Sequence, residues 1–220
     1  FRQLNSNTPG HPEYGHTQGV ETTTGPLGQG FAASVGMALA EKLLNARFNN
    51  DLVDHYTYTI VGDGCLQEGI SHETIEFAGH LKLSKLIVLW DDNRISIDGE
   101  TKLSTSSNQL SRFKSCGWDT QKIDGHNFEE ISNAIDKAQK SKKPSLIACK
   151  TIIGFGSPNL AGTEKTHGAP LGSEEVKEVK KQLNWHYDSF HVPQNIIDDW
   201  KVVKIRGNKK RMDWNKRLQS

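Results

Sequence analysis

Cysteine is scarce in this sequence, and long apolar stretches are missing. The three cysteines, Cys65, Cys116 and Cys149, are widely spaced and form no CxxC pair. This spacing is not that of a disulfide framework or a zinc site, and it predicts buried free thiols. No apolar run approaches the roughly 20 residues that cross a bilayer, and the start of the chain lacks the basic and apolar segments of a secretory signal. We therefore expect a cytoplasmic protein without a membrane partner.

A charge excess of either sign is also missing. The 27 basic and 26 acidic residues nearly cancel, leaving a formal net charge of +1. Such a balance gives no general attraction to nucleic acid or to an anionic membrane, so an anion site would have to be built locally. The basic run KIRGNKKR at residues 204–211 contains no interleaved aromatic residues. We interpret it as a solvated connection rather than a nucleic-acid surface.

What the sequence does contain is an alternation of strand-like and helix-like segments. Short apolar or β-branched runs predict strands at residues 57–61, 86–90, 120–123 and 146–151. Helical spacing between and around them predicts helices at residues 28–47, 68–81, 128–140 and 173–183. This order is typical of an α/β protein, in which a mostly parallel sheet carries helices on its faces. We therefore predict a three-layer α/β/α fold.

The domain organisation follows from where this pattern weakens. We predict one domain over residues 1–190 and a connection over residues 191–220, which begins with a helix-like segment at Pro193. The chain opens at Phe1, directly in Gly- and Pro-rich loop sequence, where natural domains seldom start. We therefore expect a fragment that lacks the N-terminal part of its fold.

Two groups of polar residues follow two neighbouring predicted strands. Gly62, Asp63 and Gly64 come directly after the first strand, and Asn93 follows the second. The separation of Asp63 and Asn93, 93 − 63 = 30 residues, is the length of one crossover, so both side chains lie at adjacent strand ends. Carboxylate and amide oxygens there would form half of a Mg²⁺ site for a diphosphate. The alternative is a turn aspartate between two glycines.

The residues around this pair carry a family resemblance. GDGCLQEG followed by DDNRISIDG resembles the thiamine-diphosphate-binding motif. Four blocks resemble transketolase: TPGHPEYGHTQGVETTTGPLGQG at residues 8–30, GDGCLQEGISHE at 62–73, KTIIGFGSPNLAGT at 150–163 and HGAPLG at 167–172. The match runs from Phe1 to about Trp185. The resemblance implies the thiamine-diphosphate-binding fold of the PP domain, without its N-terminal part.

The resemblance also implies a metal and diphosphate site. Asp63 and Asn93 match metal-ligating side chains, and Ile95 matches the residue that gives a main-chain carbonyl. The implied metal is Mg²⁺, with Ca²⁺ or Mn²⁺ as substitutes. Gly62 and Gly64 match the backbone contacts to the diphosphate of thiamine diphosphate.

Further residues are implied around the cofactor's rings and the substrate. Gly25 and Leu27 match the loop over the rings, and Ile97 matches a second aliphatic contact. The alternative for the two aliphatic side chains is ordinary core packing. His11 and His167 match active-site histidines: His167 would face the diphosphate and the reacting carbon, and His11 would bind oxygens of the sugar donor.

Glu68 and Glu73 match residues in a carboxylate network at a dimer interface that joins two active sites. The resemblance thus implies a homodimer with the active site between subunits. The alternative is that both glutamates are surface charges near a helix start, where they complement its dipole.

The implied activity is transfer of a two-carbon glycolaldehyde unit from a ketose phosphate to an aldose phosphate, as in the pentose phosphate pathway, through a carbanion-enamine on thiamine diphosphate. This chain would supply the diphosphate and metal half of the site and would be inactive alone. Two alternatives stay open. The chain could be the N-terminal subunit of a split transketolase or dihydroxyacetone synthase-like enzyme, or a non-catalytic thiamine-diphosphate-binding module.

Overall fold

A parallel sheet organises the part of the chain that the structure, a computed structural model, describes, residues 3–219. Its strands are β1 (Thr57–Gly62), β2 (Leu86–Asp92), β5 (Asp119–Asp124) and β6 (Ser145–Lys150), in the spatial order β1, β2, β6, β5. Every neighbouring pair in this sheet is parallel. The predicted strands are confirmed, with bounds that differ by one or two residues. A short antiparallel hairpin of β3 (Ile95–Ser96) and β4 (Gly99–Glu100) follows β2.

Helices cover both faces of the sheet. They are α1 (Gln29–Phe48), α2 (Asp63–Gln67), α3 (Gly69–His80), α4 (Gln109–Ser115), α5 (Phe128–Gln139), α6 (Ser173–Gln182) and α7 (Gln194–Gln219). One core joins α1, α3 and α4 to the sheet around residues such as Val88, Phe113 and Trp118. A second core lies under α5 around Ile87 and Ile147. The three-layer α/β/α prediction is confirmed.

Side chains close several helix ends. The Asn127 side chain accepts hydrogen bonds from the backbone N–H groups of Glu129 (3.0 Å) and Glu130 (3.2 Å) at the start of α5. The Asn108 side chain caps α4 in the same way through the N–H of Ser111, at 2.9 Å. Each cap satisfies donors that a helix start leaves unpaired. The chain therefore enters α4 and α5 in a fixed direction.

The helix predicted at residues 68–81 is confirmed as α3, which is one residue shorter at each end, whereas the short helix α2 before it was not predicted. Glu68 is extended (φ −65°, ψ 143°) and separates α2 from α3. The Ser71 hydroxyl donates to the carbonyl of Cys65 at 2.6 Å, so a side chain satisfies an acceptor that a continuous helix would pair with a backbone N–H. The chain therefore turns at Glu68 while its backbone groups remain bonded.

The connection predicted over residues 191–220 is described as far as Gln219, and its place outside the domain stays a prediction. A helix begins just after Pro193, as predicted, and α7 continues through the exposed basic run to Gln219. Near its end, Trp214 Nε1 donates to the carbonyl of Leu52 at 2.8 Å, and Arg217 Nε donates to the carbonyl of Asp51 at 2.7 Å. The helix thus returns to the turn that follows α1. Of the helices described, α7 included, none combines the length and apolarity that crossing a bilayer requires.

The outer edge of β1 is open within residues 3–219, since β2 is its sole strand neighbour there. Tyr58 and Ile60 point away from the α1 side of the sheet and are 47% and 78% exposed. An exposed edge with large apolar side chains is unusual for a parallel sheet. We predict that the fold has a further N-terminal part, which this chain lacks, and this stays a prediction.

The three thiols are free. Cys149 lies buried on β6, as the sequence predicts, whereas Cys65 and Cys116 are half-buried at the margin of the first core.

Candidate functional site

The strand register brings the two predicted polar groups to one edge of the sheet. Gly62 pairs with Asp91, so β1 and β2 end side by side. Asp63 follows as the first residue of α2, and Asn93 follows the end of β2. Asp63, Asn93 and Ile95 line one cavity of about 570 Å³. The three residues proposed as metal ligands therefore lie around a common space at the carboxyl ends of parallel strands, where α/β sheets bind ligands.

Asp63 is the electrostatically unusual residue of this cavity. Its Oδ2 atom is buried without a hydrogen-bond partner in the described part of the chain. Burial, with the negative charges of Asp92 and Asp91 added, raises the pKa of this carboxyl to about 6, although Trp90 and the backbone of Arg94 act in the opposite direction. The indole N–H of Trp90 lies near the carboxylate without forming a hydrogen bond of normal geometry, since Trp90 Nε1 is also without a partner. A cation would stabilise such a carboxylate.

Asn93 is held in one orientation. Its Nδ2 donates to Asp91 Oδ2 at 3.0 Å, and its Oδ1 accepts the N–H of Ile95 at 2.9 Å. Arg94, between them, adopts a left-handed conformation with φ 63°. Asp91 in turn accepts a hydrogen bond from the Thr151 hydroxyl on the neighbouring chain segment. The amide is therefore positioned by both strands that flank it, and its oxygen stays on the side of the Ile95 backbone.

The chemistry of the donor set limits what could bind. Among residues 3–219 there is no group of three or more His, Cys, Asp or Glu side chains placed to hold a metal ion. The donors that the resemblance implies for a cation at this cavity are the Asp63 carboxylate, the Asn93 amide and the Ile95 carbonyl, and Asp92 and Glu100 line the cavity as well. Three oxygen donors are half of the octahedron that Mg²⁺ prefers, and phosphate oxygens or water commonly supply the rest. The residues present fit Mg²⁺ held together with a diphosphate.

The loop before α1 reaches the same strand end. A Cβ built on Gly64 would lie 3.2 Å from Leu27 Cδ1, so the leucine packs directly over this glycine. A Cβ built on Gly62 would meet nothing within 4 Å, which leaves the backbone there open to a ligand. Leu27 is 53% exposed and Ile97 is 70% exposed. Neither side chain packs in the core, so core packing does not explain these two residues.

The two predicted histidines lie in different loops. His11 packs against the loop that holds Leu27, because a Cβ on Gly25 would lie 2.8 Å from His11 Nδ1. His167 is exposed and ends the short 3-10 turn Glu164–Thr166. Gly162, earlier in the same loop, lines the cavity of Asp63. His11 therefore packs against the loop that contains Gly25, and the loop of His167 lies beside the cavity.

Glu68 and Glu73 are both exposed, one at the break between α2 and α3 and the other on α3. The Glu68 side chain lies against the start of α1, since a Cβ on Gly28 would approach Glu68 Cβ to 2.9 Å. Their exposure suits an interface and a free surface equally. Their place in a dimer interface stays a prediction.

His126 has a structural role that the sequence analysis did not find. Its Nε2 accepts the backbone N–H of Ile152 at 3.0 Å, and its ring stacks on Phe155 with centroids 4.1 Å apart. The backbone N–H of His126 donates to Asp124 Oδ1 at 2.9 Å. The histidine thereby supports the start of the loop that leads to His167. A lone histidine between two predicted elements carries no sequence signal for such a contact.

A parallel α/β sheet with an acidic residue, an amide and glycines at adjacent carboxyl ends is typical of ligand-binding α/β domains. Comparison with known proteins makes the class specific: residues 1–220 match the family described as transketolase, thiamine diphosphate binding domain. The chain belongs to this family. The cofactor of the domain is therefore thiamine diphosphate.

Individual relatives agree with this assignment. The chain is 56% identical to a transketolase of Sinorhizobium medicae, over 100% of this chain and 32% of that protein. It is 54% identical to transketolase 1 of Escherichia coli, over 99% of this chain and 34% of that protein. The crystal structure of transketolase from Campylobacter jejuni superposes with a TM-score of 0.97 at 44% identity, over 100% of this chain and 35% of that one. The chain thus spans about a third of the length of these relatives.

Proposed function

We propose that this chain holds the diphosphate and metal end of thiamine diphosphate in a transketolase that transfers a two-carbon glycolaldehyde unit from a ketose phosphate to an aldose phosphate. The observation that carries the proposal is the half-buried Asp63 carboxylate, whose Oδ2 atom is buried without a partner and which lies with Asn93 at adjacent strand ends. A carboxylate placed in this way costs free energy unless a cation compensates it.

The metal would be Mg²⁺, held by the Asp63 carboxylate, the Asn93 amide oxygen and the Ile95 carbonyl. Gly62 and Gly64 would let diphosphate oxygens approach the backbone, because neither carries a side chain that would fill the space. Ca²⁺ or Mn²⁺ would serve as substitutes, since both accept oxygen ligands.

Three further residues would shape the space around the rings. Leu27 and Ile97 offer exposed aliphatic surface, and Gly25 lets His11 pack closely against the Leu27 loop. Bound thiamine diphosphate supplies the electron sink that allows the C2–C3 bond of the ketose to break. The residues of this chain contribute binding and orientation around that chemistry.

His11 and His167 are proposed as the catalytic residues and as substrate contacts. The His11 imidazole would bind hydroxyl or carbonyl oxygens of the donor sugar, and His167 would face the diphosphate and the reacting carbon. Imidazole suits both roles because it donates or accepts a proton near neutral pH. One solved relative, a transketolase from Pichia stipitis, is a complex with sedoheptulose 7-phosphate, which supports sugar phosphates as the substrate class.

The assembly proposed is a homodimer with active sites at the subunit interface, where Glu68 and Glu73 form a shared carboxylate network. We place the protein in the cytoplasm and in the pentose phosphate pathway. Because the chain spans about a third of its relatives, we propose that it does not catalyse the transfer alone. Turnover by the isolated chain with Mg²⁺ and thiamine diphosphate would contradict this last point.

The test of the site is Asp63→Ala, measured by titration calorimetry with thiamine diphosphate in the presence and absence of Mg²⁺. We expect the variant to lose Mg²⁺-dependent cofactor binding, because the remaining donors carry no charge. The matched control is Asp136→Asn on the exposed side of α5, which should bind like the parent. Unchanged affinity in Asp63→Ala would exclude Asp63 as a metal ligand.

A further inference from the structure

The segment that carries His167 is fastened to α6 by one carboxylate. Glu175, in the first turn of α6, accepts hydrogen bonds from the Ser157 hydroxyl, from the backbone N–H of Asn159 (3.0 Å) and from Asn159 Nδ2 (2.8 Å). The donors all come from a loop 16 to 18 residues earlier in the chain. The side chain of Asn159, followed by Ser157 and the Asn159 backbone, holds the pKa of Glu175 below its ordinary value. The carboxylate is therefore charged at neutral pH and bonded through both oxygens.

Ser157 transmits this contact along the loop. It is 4% exposed, and its hydroxyl both donates to Glu175 and accepts the N–H of Leu160 at 3.1 Å. The Leu160 carbonyl accepts the Thr163 hydroxyl at 2.7 Å. The Thr163 carbonyl accepts the Thr166 hydroxyl at 3.0 Å. Consecutive hydrogen bonds thus run from Glu175 to the residue directly before His167.

The far end of this series is fixed by a close contact. A Cβ on Gly154 would lie 2.8 Å from Thr166 Cγ2, so the start of the loop packs directly on the residue before His167. Gly162 donates its N–H to the Ile153 carbonyl at 2.8 Å and lines the cavity of Asp63. The loop therefore closes on itself beside the cavity of Asp63, and Glu175 bonds it to the first turn of α6, while Leu183 at the end of α6 packs against Gly156.

We propose that Glu175 is a positioning residue, which holds the 157–166 loop against α6 and thereby sets the place of His167 relative to the cofactor. The effect of Glu175 on His167 matters only if the proposed function is correct, so this part rests on the proposed function. The hydrogen bonds that hold the loop to α6 do not involve any cofactor. Glu175 itself contacts neither cofactor nor substrate in this proposal. Its effect on binding passes through the loop.

The experiment uses the protein expressed from the full coding sequence and has two measurements. Hydrogen exchange followed by mass spectrometry reports the opening of residues 157–168 without cofactor. We expect Glu175→Ala to speed exchange there by about tenfold or more, because three hydrogen bonds are lost. Glu175→Gln should fall between parent and alanine, since its carbonyl oxygen still accepts from Ser157 and the Asn159 backbone. Asn159→Ala, which leaves α6 intact, should also speed exchange.

The matched control is Glu174→Ala, one residue earlier in the same helix turn. Glu174 is exposed and pairs with Lys177 on α6 itself, at 2.8 Å, so its loss removes a similar charge without touching the loop. Exchange at residues 157–168 that is the same in Glu175→Ala as in Glu174→Ala would overturn the proposal. This result is independent of whether the protein binds thiamine diphosphate.

The second measurement is a double-mutant cycle on cofactor affinity in the presence of Mg²⁺. We expect Glu175→Ala to weaken thiamine diphosphate binding by about tenfold in the parent, since small misplacements of a binding group cost such factors, and to have no further effect in a His167→Ala background. If the losses of affinity caused by Glu175→Ala and His167→Ala multiply in the double variant, Glu175 does not act through His167, and the proposal is overturned. A parent protein that fails to bind the cofactor contradicts the proposed function instead, and the exchange comparison then decides the loop contact by itself.

Discussion

The δ-methyl group of Leu27 lies 3.2 Å from the point at which Gly64 would carry a Cβ. A methyl group at residue 64 would therefore touch Leu27 and occupy space beside the Asp63 backbone. We expect Gly64→Ala to leave the free energy of unfolding within about 1 kcal/mol of the parent, because the exposed Leu27 side chain can move a few tenths of an ångström. Calorimetry should show weaker binding of thiamine diphosphate, by about tenfold or more, because a close backbone approach is lost.

Leu27→Ala in the same background separates the two effects of that methyl group. If the methyl group acts only through its contact with Leu27, the double variant should bind as Leu27→Ala alone does, whereas a direct block of the diphosphate would weaken binding further. Gly69→Ala is the control, since a Cβ there meets nothing within 4 Å. Full affinity in Gly64→Ala would remove Gly64 from the proposed diphosphate contacts.

Of the glycines described, Gly79 in α3 has the least room for a side chain, because it packs against the turn after α4. A Cβ on Gly79 would lie 1.8 Å from the carbonyl oxygen of Cys116, which is backbone and cannot swing away. Alanine normally stabilises a helix by about 1 kcal/mol relative to glycine, but overpacking of this kind costs about 1–3 kcal/mol or more. We expect Gly79→Ala to lower the free energy of unfolding, as measured by urea denaturation. Gly36→Ala in α1, where a Cβ meets nothing within 4 Å, should raise it by about 0.5–1 kcal/mol. Equal effects of the two substitutions would contradict the packing described here.

The parallel sheet could be predicted because its signal is local. Each strand is a short run of apolar or β-branched residues, and the buried faces of β2 and β6 leave no alternative to a central position. The juxtaposition of Asp63 and Asn93 then follows from the topology of a single crossover. Nothing beyond the adjacent strand ends was needed to bring these two side chains to one cavity.

The features that were missed depend on contacts between distant residues. The short helix α2 was not predicted, and Glu68 at its end lies against Gly28 at the start of α1. The end of α7 is bonded to carbonyls of Asp51 and Leu52, more than 160 residues earlier. The role of Glu175 likewise needs the loop to fold back on α6. Local sequence patterns contain no information on such pairings.

Cys149 should be the least reactive thiol of the chain. It is buried on β6, and burial, with Asp91 nearby, raises the pKa of its thiol to about 11. At pH 8 only about one Cys149 side chain in a thousand would be a thiolate, which is the reactive form. We expect iodoacetamide to label the half-buried Cys65 and Cys116 first and to label Cys149 only after unfolding in urea. Peptide mapping by mass spectrometry checks the order, and early labelling of Cys149 in folded protein would contradict it.

The pH dependence of stability without metal reports on Asp63. Burial, with the charges of Asp92 and Asp91, raises its pKa from 3.8 to about 6 in the folded chain, so the folded state keeps a proton that the unfolded state releases. The stabilising contribution of this carboxyl is therefore complete below pH 3.8 and is lost as the pH rises through about 6. After allowance for screening by solvent, we expect a loss of about 1–2 kcal/mol across this window.

Asp63→Asn isolates that contribution, because an amide has the shape of the protonated acid but does not titrate. In EDTA, we expect Asp63→Asn to become more stable relative to the parent as the pH rises from about 4 to about 6. Above about pH 7 the difference between their free energies of unfolding, measured by urea denaturation, should be constant. Asp136→Asn, an exposed carboxyl on α5, should show no such gain. Saturating Mg²⁺ with thiamine diphosphate should reverse the order above pH 7, since the cation compensates the charge in the parent and loses its charged ligand in the variant. A pH-independent difference between parent and Asp63→Asn in EDTA would show that the pKa of Asp63 is the same in the folded and the unfolded chain, and would remove the electrostatic reason for a cation at this cavity.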